Sequence, residues 1–124
     1  MNLVDSSAWL AFFADTKNAS KFQGAIEDIR RLLVPTIVIY EVSKVLLREQ
    51  GEELAIVAQA HMQQGKILDL TTEIAVNSAS ISLEYRLPMA DSIILASAGS
   101  YNATLWTQDD DFKGIPQVKY YAAK

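Results

Sequence analysis

The sequence predicts an α/β fold with a parallel sheet, on three observations. Short apolar, strand-like runs alternate with segments of helical periodicity, the order that builds a parallel sheet. The chain has 124 residues, the size of one domain, so the span 1–124 is expected to form a single domain. Half of its residues are hydrophobic, enough for a real core at this length, and no repeat, low-complexity tract or Gly/Ser linker divides it.

The elements follow in order. "NLVDS", Asn2 to Ser6, reads as the first strand. "SAWLAFFAD" is a short helix that Ser6 or Ser7 would cap. Asn18 or Ser20 opens a second helix running to about Arg31, with Phe22, Ile26, Ile29 and Leu33 near one face. "LLVP" is a buried strand ended by Pro35. The next segment opens with β-branched residues, but Val38, Val42, Val45 and Leu46 stand at helical spacing. It is therefore expected as a helix from Thr36 to Glu49, ended by Gly51. "EELAIVAQAHMQQG" is another helix, and "KILDL" a third strand. Thr72 would cap the helix "EIAVNSASISLEYR", and Pro88 suits the first turn of "PMADSIILASAGS". "ATLWT" is a fourth strand and "QVKYY" a fifth at an edge.

Composition narrows the function. With no cysteine, disulfides and thiolate metal sites are excluded. The N-terminal stretch lacks a basic flank and meets Asp5 early, unlike a signal peptide. No apolar run reaches the ~18 residues of a membrane span, so no span is expected, and the absence of cysteine fits the cytoplasmic location expected for the chain. A net charge of −4 lends no support to nucleic-acid binding through overall charge, though a local basic patch or a bound cation would still serve an anionic substrate.

Parallel α/β sheets bind ligands beyond the carboxyl ends of their strands. Asp5 ends the first strand, Asp109 lies just past the fourth, Asp91 falls in the first turn of a helix, and Glu41 sits in an otherwise apolar helix. Each has an ordinary structural explanation as well. Asp5 fits as a helix cap, Asp91 as a partner of the helix dipole, and Glu41 as an ion-pair partner of Lys44 or Arg48 on its own helix. The run Asp109–Asp110–Asp111 fits a solvated turn. As a set, however, four acids follow or flank apolar elements in an order that one sheet edge could gather. Hard divalent cations prefer such oxygen ligands, and they offset the repulsion between clustered carboxylates.

The motifs "LVDSSAWLAFF", "YEVSKVL", "LPMADSIILASA" and "LWTQDDDF" closely resemble those of the PIN domain, and more narrowly of the compact VapC-like toxins. The resemblance covers nearly the whole chain, in order. It implies a three-layer α/β/α sandwich around a central parallel sheet and a Mg²⁺- or Mn²⁺-dependent endoribonuclease acting on RNA. By motif match, Asp5, Glu41, Asp91 and Asp109 are its acidic quartet, with Ser6 and Thr107 as supporting polar residues. It also implies a partner antitoxin and a homodimer.

On this reading the metal sits on Asp5, Asp91 and Asp109, with Glu41 as a further ligand or as the holder of a water. Asp110 is expected to face solvent. Asp111 stays open between support of a second metal and a capping role, and Phe112 is expected as a buried anchor. Lys44 and Arg48 are the candidate phosphate contacts. The only histidine, His61, lies away from every acidic motif and is expected to pack on a helix or face solvent. Two competing readings remain. One is a PIN-like fold that binds without catalysis. The other is a response-regulator receiver domain, which is disfavoured because Ser6 and Ser7, not a second acid, follow Asp5. A dinucleotide-binding fold lacks its G-x-G-x-x-G sequence.

Overall fold

The computed structural model describes residues 1–123. The strands are β1 Asn2–Val4, β2 Leu32–Pro35, β3 Lys66–Leu68, β4 Thr104–Thr107 and β5 Val118–Tyr120. The helices are α1 Ser6–Phe13, α2 Ala19–Glu27, α3 Thr36–Glu49, α4 Glu52–Met62, α5 Thr72–Tyr85 and α6 Met89–Ser100. All strand pairings are parallel, in the order β3-β2-β1-β4-β5. Residues 32–35 are all buried, as expected for a parallel strand covered on both faces. The edge strands β3 and β5 are partly exposed.

Connectivity places the helices. The chain steps from β1 through α1 and α2 to β2, then through α3 and α4 to β3, always in the same direction across the sheet. It returns through α5 and α6 to β4 on the far side of β1. Right-handed crossovers therefore put α1–α4 on one face and α5–α6 on the other, giving the expected α/β/α sandwich. The reversal falls between β1 and β4. There the chain leaves neighbouring strands toward opposite layers and opens a crevice at their carboxyl ends. The core holds Leu3, Val4, Leu33, Val34 and Leu105 from the sheet, with Trp9, Phe22, Met62 and Ile94 from the helices, all essentially without solvent exposure.

Several boundaries differ from the sequence expectation, each for a local reason. The first strand stops at Val4, because Asp5 turns out to cap α1, the place expected of Ser6 or Ser7. α2 ends at Glu27, and Ile29–Arg31 form a separate 3-10 turn. Asn18 precedes α2 without capping it; its amide nitrogen instead donates to Gln108 Oε1 and to the Ala122 carbonyl. Thr71, not Thr72, caps α5 by accepting the Ile74 N–H at 3.2 Å. Pro88 stands one position before α6 rather than within its first turn. Gly51 lies between α3 and α4 with φ +99°, a value that favours glycine.

Candidate active site at the carboxyl edge of the sheet

Asp5 begins the site. Its backbone N–H donates to the Trp106 carbonyl at 3.1 Å, continuing the β1–β4 ladder by one residue before the chain turns into α1. The carboxylate is buried and well supplied with donors. Oδ1 accepts the Ala8 N–H at 3.1 Å and the Ser7 hydroxyl at 2.7 Å, while Oδ2 accepts the Thr107 hydroxyl at 2.8 Å. Cap and site are thus the same residue, because a carboxylate that ends β1 at the crevice also faces the first N–H groups of α1.

Thr107, at the end of β4, is fully buried. While donating to Asp5, its hydroxyl accepts the Asp109 N–H at 2.9 Å. Asp109 in turn accepts the Asp111 N–H through Oδ1 at 2.9 Å and starts a 3-10 turn, Asp110–Phe112. Phe112 has no solvent exposure and anchors that turn in the core, as expected. Asp110 points outward, within 3.4 Å of the Tyr120 hydroxyl, which donates to it.

Asp91 reaches the same place from the other helical layer, in the first turn of α6. One carboxylate oxygen from each of Asp91, Asp109 and Asp111 lies within 4.8 Å of the others. Asp5 stands beside this trio, close enough for its charge to act on Asp91 and to feel that of Asp109. Glu41 approaches from α3, where the Ser6 hydroxyl donates to its Oε1 at 2.9 Å. Neither Lys44 nor Arg48 pairs with it. Lys44 lies over the Tyr40 ring, 5.9 Å from its centroid, and Arg48 pairs with Glu49 at 2.9 Å.

Electrostatics reflect the crowding. Burial pushes the Asp5 carboxyl up to about 6, against the hydrogen bonds from Ser7, Thr107 and Ala8, with the Asp109 charge adding to the rise. Burial also leads at Asp91, which is pushed up to about 8 with the charge of Asp109, a hydrogen bond and charge from Asp111, and the charge of Asp5. Such a cluster relieves its crowding by holding protons, which a bound cation would displace. Its donors are all carboxylate oxygens, the set that suits Mg²⁺ or Mn²⁺ and not a soft metal. The residues therefore fit a hard divalent ion.

Of the two roles open to Asp111, the geometry fits the metal-supporting one: it joins Asp91 and Asp109, because the 3-10 turn brings positions 109 and 111 to the same side. Ser7 is the participant the sequence does not single out, although the pair "SS" after Asp5 offers both hydroxyls. His61 packs edge-on against Trp9, Phe12 and Phe13 with ring centroids 5.4–5.8 Å away, a packing role as expected.

The model of the PIN domain matches residues 3–118. The chain belongs to the PIN domain family. Its fold is that of VapC-like PIN proteins. A toxin–antitoxin complex from Klebsiella pneumoniae contains a chain 25% identical to it, with a TM-score of 0.83, covering 98% of this chain and 99% of the other. VapC20 of Mycobacterium tuberculosis, a sarcin–ricin loop cleaving toxin, is 16% identical with a TM-score of 0.77, covering 94% and 95% of the two chains. DNA-bound VapBC from Salmonella typhimurium is 17% identical with a TM-score of 0.73, covering both chains fully. No curated protein matches the sequence. Among the described residues, no helix is long and apolar enough to cross a membrane.

Proposed function

We propose that this PIN domain is a divalent-metal-dependent endoribonuclease, the toxin of a toxin–antitoxin pair. The observation that carries the reading is the gathering of Asp91, Asp109 and Asp111 within 4.8 Å, beside the buried Asp5 at the β1–β4 crevice. We read the span 1–124 as one nuclease domain working in the cytoplasm, with an antitoxin as protein partner and a second copy of the chain in a homodimer. The toxin–antitoxin assemblies among its structural relatives support the antitoxin reading.

In this mechanism Asp5, Asp91 and Asp109 would hold Mg²⁺ or Mn²⁺, with Asp111 able to offer a further oxygen. When bound, such an ion would lower the pKa of a water and offset charge on the phosphodiester oxygens. The chain's own groups supply position. The Thr107 hydroxyl and the Ala8 N–H hold the Asp5 carboxylate in one orientation. The Ser6 hydroxyl restrains Glu41, which holds or accepts from the attacking water. The reaction needs no histidine, in keeping with the packing role of His61. Lys44 and Arg48, both exposed on α3, contact phosphates. The surface pair Arg48–Glu49 contributes little and yields readily to a phosphate.

Incubating a defined RNA pool with the protein, in Mn²⁺ and in EDTA, and mapping the ends tests this reading. Cleavage only with the metal, leaving 5′-phosphate and 3′-hydroxyl ends, is expected. Cleavage that survives EDTA contradicts it, and folded protein that cuts no RNA favours a binding module instead.

A further inference from the structure

We propose that Ser7 is a positioning residue, locking the Asp5 carboxylate to the 107–111 loop so that the carboxylates from β1 and from the β4 side keep a fixed relation. This rests on the nuclease reading above and names a residue that reading does not require.

The argument is one of donors and acceptors. A serine hydroxyl has one proton and two lone pairs. The Ser7 proton goes to Asp5 Oδ1 at 2.7 Å, and a lone pair accepts the Gln108 N–H at 3.2 Å. Thr107 repeats the arrangement one residue away. Its proton goes to Asp5 Oδ2 at 2.8 Å, and it accepts the Asp109 N–H at 2.9 Å. The two hydroxyls lie 3.4 Å apart. Each carboxylate oxygen of Asp5 is thereby tied, through one hydroxyl, to one of two successive backbone N–H groups leading from β4 toward Asp109. Oδ1 has two donors, Ser7 and Ala8, and Oδ2 has one. Oδ2 is thus the oxygen left with an unused acceptor position.

Ser6 does not duplicate this role, because its proton is directed at Glu41. Loss of the Ser7 hydroxyl takes one donor from Asp5 and leaves the Gln108 N–H without its acceptor. Thr107 then holds the carboxylate on one side only. The Gln108 side chain is held separately, by the Asn18 amide at 3.1 Å, so the loop loses one of its two ties to Asp5 without losing its contact with the start of α2.

The test compares wild type, Ser7→Ala, Ser7→Thr and Asp5→Asn. Two readouts are used: Mn²⁺ affinity by titration calorimetry, and amide exchange at Gln108 by NMR in the metal-free protein. Ser7→Ala is expected to weaken Mn²⁺ binding about ten-fold or more, the scale of one lost hydrogen bond to a charged group. It is also expected to speed exchange at Gln108. Ser7→Thr, which keeps a hydroxyl, is expected to restore both. Should Ser7→Ala fail to fold, Ser7→Cys, of similar size but a weak donor, replaces it with the same expectation. Mn²⁺ affinity equal to wild type in the hydroxyl-free variant overturns the proposal, even if Gln108 exchanges faster, because the tie is then structural only. Wild type that binds no Mn²⁺ overturns the nuclease reading itself. Wild type that binds, with Asp5→Asn losing the metal and Ser7→Ala keeping it, overturns the role of Ser7 alone.

Discussion

Thr107 shows how much one hydroxyl does at this sheet edge. It is fully buried, and its single oxygen both donates to Asp5 and accepts from Asp109. Thr107→Val keeps the shape and removes both bonds, leaving a backbone N–H and a carboxylate oxygen short of partners. The expected cost is about 1–3 kcal/mol, the usual range for unsatisfied buried groups. Urea unfolding at pH 7 measures it, with Thr107→Ser as the hydroxyl-retaining control; a Val variant as stable as wild type refutes the assignment. At this scale the sequence was legible where a residue's position next to a strand end or in a helix's first turn decides where it lies. Asp5, Asp91 and Asp109 all stand at the crevice. It was less legible where neighbours compete. Nothing in "DSS" says that Ser6 turns to Glu41 and Ser7 to Asp5, since that choice depends on α3, which is distant in sequence. Likewise the part played by Asp111 follows from a 3-10 turn whose anchor, Phe112, must first find the core.

Among the elements, helices with sustained periodicity were the most legible: α3 spans Thr36–Glu49 as expected, despite its β-branched start. Boundaries were harder to read, because a cap is chosen by backbone geometry and adjacent residues of one type offer equal chemistry. Thr71 and Thr72 illustrate this. Thr71 has extended backbone angles, φ −87° and ψ 166°, and its side chain accepts the Ile74 N–H, whereas Thr72 is already helical. Thr71→Ala is therefore expected to cost about 1 kcal/mol, and Thr72→Ala much less. Thermal unfolding of the two variants checks this, and equal losses would contradict the cap. Strand ends behaved alike: β1 and β3 are shorter than their apolar runs suggest, because pairing with a neighbour, not hydrophobicity, ends a strand. β5 lies at an edge, as expected of "QVKYY", and is partly exposed there.

For the whole molecule, topology and charge act together. The order β3-β2-β1-β4-β5 puts the reversal between β1 and β4, and so draws acids from both helical layers into one crevice. The parallel sheet was legible from the alternation of strand and helix patterns; the three-layer sandwich was implied by the PIN-domain resemblance, and crossover handedness is its physical reason. The energetic consequence is a pH dependence of set sign. The Asp5 and Asp91 carboxyls rise from 3.8 to about 6 and about 8 on folding. Between those limits the folded state holds more protons than the unfolded state, so the stability these groups contribute is present below pH 3.8 and is lost as pH rises toward 8. In EDTA the thermal midpoint is expected to fall from pH 5 to pH 8. Mn²⁺ should restore it at pH 8, and Asp91→Asn should flatten the profile; a midpoint in EDTA that rises over this range contradicts the crowded-carboxylate picture. The most direct test of the central claim is RNA cleavage by Asp91→Asn beside wild type in Mn²⁺, with circular dichroism confirming that both are folded. A metal-dependent nuclease site predicts a loss of about 100-fold or more, since metal stabilisation of the reaction is worth several kcal/mol. Cleavage at the wild-type rate by folded Asp91→Asn would contradict it.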